Sequence, residues 1–175
     1  ATIKPHTRLV YLSVLELPQH WSEYDSISAI VLKGVPLNHI TDKQYDALRK
    51  WIARGGTLVV ASDSQYTLLQ EPRLRDLLPV QILGIQQLEG LHDFSEHYGF
   101  PMPEKPLLAV QARLTTGQVL VGSAELPLLA QRPFGKGRVV FLAVDYAASP
   151  LTGWPGNTAL WKEILQPVET VDISR

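Results

Sequence analysis

Ser62-Asp63-Ser64 follows an apolar run and brings two hydroxyls, a carboxylate and the amides of a helix start to one place. A nucleophilic serine needs a base within hydrogen-bond reach. No histidine stands near these serines in sequence, and the G-x-S-x-G elbow of the hydrolases is missing. The competing expectation is that Ser62 or Asp63 caps the helix that follows. His92-Asp93-Phe94-Ser95-Glu96-His97 is the densest group of ligand-type side chains. On a helix, His92 would face Glu96 and Asp93 would face His97 across one turn. The spacing matches neither H-E-x-x-H nor H-x-x-E-H. No further histidine is placed by sequence to complete a shell, so no metal site is expected. Gly135-Lys136-Gly137-Arg138 has glycines suited to a phosphate, but the dinucleotide fingerprint needs a third glycine and a helix directly after. A strand follows instead, which predicts a hairpin turn. Trp154, after the last apolar run, either packs over the sheet end or lines a groove for sugar or peptide. Trp21 is open to the same two readings.

The elements that would position these groups are legible in the apolar pattern. Residues 9–15, 27–32 and 57–61 are near-continuous apolar runs, as in strands buried on both faces. Between the last two lies a helix over 42–54. Thr41 and Gln44 have capping-box spacing, and Ile40 and Tyr45 can form the hydrophobic staple. Tyr45, Leu48 and Ile52 share a helical face, and Gly55 or Gly56 supplies the left-handed stop. Two strands around a helix predict a βαβ unit in a parallel sheet. Short helical pieces follow near 65–70 and 72–78, then a strand within 80–90. The polar stretch 91–106 reads as a long loop. Residues 107–114 and 118–122 suggest one hairpin around Thr115-Thr116-Gly117. Residues 127–133 and 138–144 suggest another, turning at 135–137. A last helix over about 157–166 would turn Leu160, Trp161, Ile164 and Leu165 inward.

Composition narrows the function classes. The chain has 175 residues, 45% hydrophobic and 19% charged, and a net charge of -1. That suits a single α/β domain with a real core. A basic surplus of the kind that holds nucleic acid by its phosphates is not visible. No apolar run reaches membrane-spanning length, and no signal peptide is evident. Cysteine is absent, which removes thiol nucleophiles, disulfides and thiolate metal sites. The start at Ala1 and the ending Asp172-Ile173-Ser174-Arg175 suggest a piece excised from a longer protein.

Several segments together resemble a known family. They are Tyr24-Asp25 before a buried strand, Lys33-Gly34-Val35-Pro36, the helix ending Gly55-Gly56, the strand Thr57–Ala61, Leu77-Leu78-Pro79-Val80, and the run Phe134 to Asp145. In this order they are similar to class I glutamine amidotransferase-like domains, in a branch found in bacterial membrane-associated proteins. The resemblance spans about residues 9–165. It implies a flavodoxin-like α/β fold with a mostly parallel, mixed sheet flanked by helices and antiparallel hairpins in the second half. The enzymes of that superfamily carry a cysteine nucleophile just after the central strand and a histidine-acid pair near the last strand. Here those places read Ala61-Ser62-Asp63-Ser64-Gln65 and Asp145-Tyr146-Ala147. The resemblance therefore implies a non-catalytic binding or assembly module with no cofactor. It would sit at the extracytoplasmic face of a bacterial membrane, or else in the cytoplasm, joined to the membrane only through segments outside this chain. Its partner would be a protein or a small ligand, not nucleic acid. The rival expectation is a serine-dependent hydrolase acting on a sugar or ester. A ligand would bind beyond the carboxyl ends of the strands, near Gly34, Ser62, Asp63, Ser64, Asp145 and Trp154.

Overall fold

A computed structural model describes residues 9–11, 27–34, 36, 38, 40–63 and 66–165. Local chemistry sets the helix that links the first strands. Thr41 Oγ1 accepts the Gln44 amide at 3.1 Å, and Gln44 Oε1 accepts the Thr41 amide at 2.9 Å. This capping box starts α1 (Asp42–Ala53). Asp46 and Lys50 pair at 2.8 Å one turn apart on its outer side. Gly55, at φ 127°, ends it in a conformation few other residues adopt. The inward face carries Gln44, Ala47, Leu48, Trp51 and Ile52. The Trp51 ring lies where a side chain on Gly56 would stand, so the second glycine is a packing requirement.

α1 connects β2 (Ala29–Lys33) to β3 (Thr57–Ala61), which pair in parallel. β1 (Leu9–Tyr11) pairs in parallel with β2 on its other side. The far neighbour of β3 comes from late in the chain: β8 (Gly137–Leu142), also parallel, with Thr57 opposite Arg138. β7 (Pro127–Phe134) returns antiparallel on β8, and β6 (Gln118–Gly122) is antiparallel on β7. The sheet order is β1-β2-β3-β8-β7-β6. The expected hairpin at 135–137 is present, and β3 is interior, with all five residues buried. Each such aliphatic side chain contributes about 1.5–3 kcal/mol by leaving water. The described buried side chains form one apolar cluster that runs from Ile30 to Ile164.

Between β3 and β6 lie a 3-10 turn (Tyr66–Gln70), α2 (Pro72–Leu77), β4 (Val80–Leu88), α3 (His92–Tyr98) and β5 (Leu107–Leu114). α4 (Asn157–Leu165) closes the described chain. Among the described residues the result is a mixed α/β architecture with a mostly parallel sheet, a second antiparallel sheet and four α-helices. Two expectations are corrected. Residues 107–114 and 118–122 do not form a hairpin: β5 pairs with β4, and β6 pairs with β7 in the main sheet. The Thr-Thr-Gly turn is there, but long-range partners decide the pairing. Residues 91–106 are not all loop, because α3 forms with Phe94 buried beneath it. Of the expected strand 9–15, residues 12–15 lie outside the described residues, and the last strand stops at Leu142.

Candidate functional site

Parallel register brings three strand ends to one place. Lys33 stands opposite Ala61, and Ala61 opposite Leu142. The residues that follow them therefore leave the sheet together, the usual location of ligand sites in open α/β sheets. The Ser62 amide continues the ladder by donating to the Leu142 carbonyl at 3.0 Å. Gly34 turns away at φ 64°. Its missing side chain matters twice, because the Asp63 carboxylate occupies the place where a Cβ would stand. Asp145 pairs with Lys33 at 2.7 Å and accepts the Ala147 amide at 2.9 Å. The Lys33 ammonium also lies 4.7 Å from the centre of the Tyr146 ring, and that ring packs edge-on against Trp161 of α4 at 5.2 Å.

Gly34, Ser62, Asp63 and Asp145 thus gather at one end of the sheet, joined by a lysine that the sequence reading did not single out. The signal was present: a charged residue ending a buried strand needs a counter-charge, and Asp145 follows the apolar run that carries β8. Ser62 is buried and its hydroxyl donates to the Asp63 carbonyl at 3.1 Å. Neither described histidine attends it: His92 pairs with Glu96 at 3.7 Å and His97 with Glu163 at 3.1 Å. Ser64 and Trp21 lie outside the described residues.

Of the two readings of Trp154, packing and groove lining, the structure matches the packed one. Trp154 is only 4% exposed and packs against Phe94 and Tyr98, with ring centres 6.4 and 5.9 Å away. Its indole N–H donates to the Phe100 carbonyl at 3.2 Å. An indole so enclosed holds α3 to the chain before α4 and offers no surface to a ligand. His97 reaches across from α3 to Glu163 of α4. No group of three metal-type ligands occurs among the described residues. Lys136 sits in the β7–β8 turn, its amide donating to the Ala53 carbonyl at 2.8 Å, so this turn docks on the end of α1.

With Lys33 and Asp145 both less than a third exposed, Asp145→Asn is expected to lower stability by about 1 kcal/mol through loss of the ion pair. Thermal melting checks this. A variant that melts like the wild type but no longer binds a ligand found by screening would make Asp145 a recognition residue instead.

No curated protein matches the chain in sequence. Solved structures do match it in shape. Cytoplasmic Protein STM3548 from Salmonella typhimurium is 18% identical, with a TM-score of 0.65 over 87% of this chain and 76% of that one. Cytoplasmic Protein STM1381 from Salmonella typhimurium LT2 is 19% identical, with a TM-score of 0.66 over 86% and 75%. A β-galactosidase from Rahnella sp. R3 is 15% identical, with a TM-score of 0.50 over 79% of this chain and 23% of its own. At such identities the likeness is one of fold alone. Residues 6–152 match a family described as a domain of unknown function, DUF7408, and the chain belongs to that family.

Proposed function

We propose that this chain is a non-catalytic binding or assembly module on a class I glutamine amidotransferase-like, flavodoxin-like frame. It would serve a larger bacterial protein held at the extracytoplasmic face of a membrane by segments outside this chain. No helix among the described residues is long and apolar enough to cross a membrane. One observation carries the reading. At the converged strand ends, Ser62 spends its hydroxyl on a main-chain carbonyl, the Asp63 carboxylate lies against Gly34, and Lys33 and Asp145 form an ion pair. Acyl transfer needs a nucleophile hydrogen-bonded to a base, and this arrangement supplies recognition groups instead. The Asp63 carboxylate, the Lys33 ammonium and the Tyr146 ring suit a small polar ligand or a peptide segment of a protein partner.

Two measurements test it. The domain should release no ammonia from glutamine above a heat-killed control, and Ser62→Cys should not create that activity, because neither described histidine stands beside it to form the thiolate. Ammonia release by either protein would overturn the non-catalytic reading. Binders from a small-molecule and peptide screen should perturb the amide resonances of Gly34, Asp63 and Tyr146. Binders that perturb only residues remote from these would place the site elsewhere.

A further inference from the structure

β4 is nine residues long and has one strand partner among the described residues. β5 ties this sheet to the rest of the fold, donating Val110 N–H to the Ala143 carbonyl at 2.8 Å and Leu114 N–H to the Ala124 carbonyl at 3.0 Å, and the 3-10 turn Tyr66–Gln70 also lies against β4. Among the described residues, no backbone hydrogen bond joins residues 81–88 to anything outside β5, so the outer edge of β4 has no strand on it there. The bulge between Ile82 and Gly84 also leaves Leu83 without a register partner on β5. Four large hydrophobic residues are exposed among the described residues, and three of them lie on this two-stranded sheet: Leu83 at 48%, Ile85 at 37% and Leu108 at 62%.

Folded proteins usually guard a long edge strand with charge or proline. The strand Val80-Gln81-Ile82-Leu83-Gly84-Ile85-Gln86-Gln87-Leu88 has neither. Its pattern is nearly a palindrome about Gly84. Leu83 mirrors Ile85, Gln81 mirrors Gln87, and Val80 mirrors Leu88; only Ile82 and Gln86 differ in kind. The solvent-facing set, residues 81, 83, 85 and 87, maps onto itself.

We propose that two copies of this chain associate by pairing β4 with β4, antiparallel, about a two-fold axis through Gly84. The two-stranded sheets then join into one of four strands, which also relieves the marginal stability of a lone pair. Leu83 meets the partner's Ile85 and Gln81 meets the partner's Gln87, so apolar faces apolar and amide faces amide. No like charges oppose one another, because the strand has none. Such self-matching is what a two-fold, isologous interface requires. A foreign strand has no comparable reason to fit this pattern. Edge pairing covers less surface than a standard interface, so the dimer is expected to be weak, with a Kd on the order of 10–100 μM.

Sedimentation equilibrium across roughly 5–500 μM protein tests this, a span chosen to bracket that Kd. The apparent mass should rise from 19.5 kDa toward twice that value. Ile85→Lys and Leu83→Lys, each on an exposed position, should weaken association at least ~10-fold while leaving the circular dichroism spectrum unchanged. Exchange of the residue 81–88 amides should slow as concentration rises. A chain that stays monomeric throughout, or a dimer indifferent to both substitutions, would overturn the proposal. Protection of these amides only on adding an extended peptide of another sequence would give the edge to a different occupant and also overturn it.

Discussion

Trp51→Ala is expected to destabilise the protein by about 3–5 kcal/mol, the range for truncating a large buried aromatic. Trp51 is 6% exposed, its indole N–H donates to the Ile27 carbonyl at 3.2 Å, and its ring rests on Gly56. Truncation removes the apolar contact, orphans the carbonyl and opens a void between α1 and the turn into β3. Ile52→Ala, at a position with no exposure, should cost about 2–5 kcal/mol by the cavity alone. The two side chains are neighbours on one helix face, so their effects need not add. Urea unfolding midpoints measure both. A curve unmoved by either substitution would mean that α1 is not packed on the sheet as described.

Arg138→Ala carries the second large effect. Arg138 begins the core portion of β8, at the end of the sheet away from the candidate site, and is only 4% exposed. Its guanidinium donates to Gln131 Oε1 at 2.6 Å, to the Glu163 carbonyl at 3.4 Å and, in a short contact, to the Ile164 carbonyl. Burial pulls its pKa down to about 10, with Glu163 acting against the shift. It therefore stays charged at neutral pH and caps the last carbonyls of α4, where a cation is favoured. Removing it leaves buried acceptors unpaired, a loss of about 2–4 kcal/mol. Arg138→Met should recover part of that loss, since it refills the volume without a charge. Hydrogen exchange adds a local readout: protection in α4 should fall in the alanine variant more than in β2 or β3. Equal protection across the three elements, with both variants as stable as wild type, would dismiss the capping role.

What could be read from the sequence was local. Thr41, Gln44 and the double glycine define α1 with neighbours no more than a few residues away, and four consecutive apolar residues after Thr57 mark β3. The misreadings came where distance decides. Thr115-Thr116-Gly117 turns the chain, but β5 answers to β4 and β6 to β7. α3 was hidden because Leu91 offers no side-chain cap and His, Asp and Ser are weak helix formers; Phe94 and its packing on Trp154 hold it instead. At the candidate site, Asp145 was visible as a carboxylate at a strand end. Lys33 was visible as a charge ending a buried strand, but its pairing with Asp145 was not, because the register that brings β2, β3 and β8 level is a property of the whole sheet.

The place of β8 bears on synthesis. Strands β1 to β3 leave the ribosome first, yet β3 is completed on its second side only when Arg138 to Leu142 arrive to pair with Thr57 to Ala61. Until then a strand apolar but for Thr57 shows an unpaired edge to every other nascent chain nearby. The long middle stretch of the sequence is thus also a delay, during which the half-built sheet is open to a wrong neighbour.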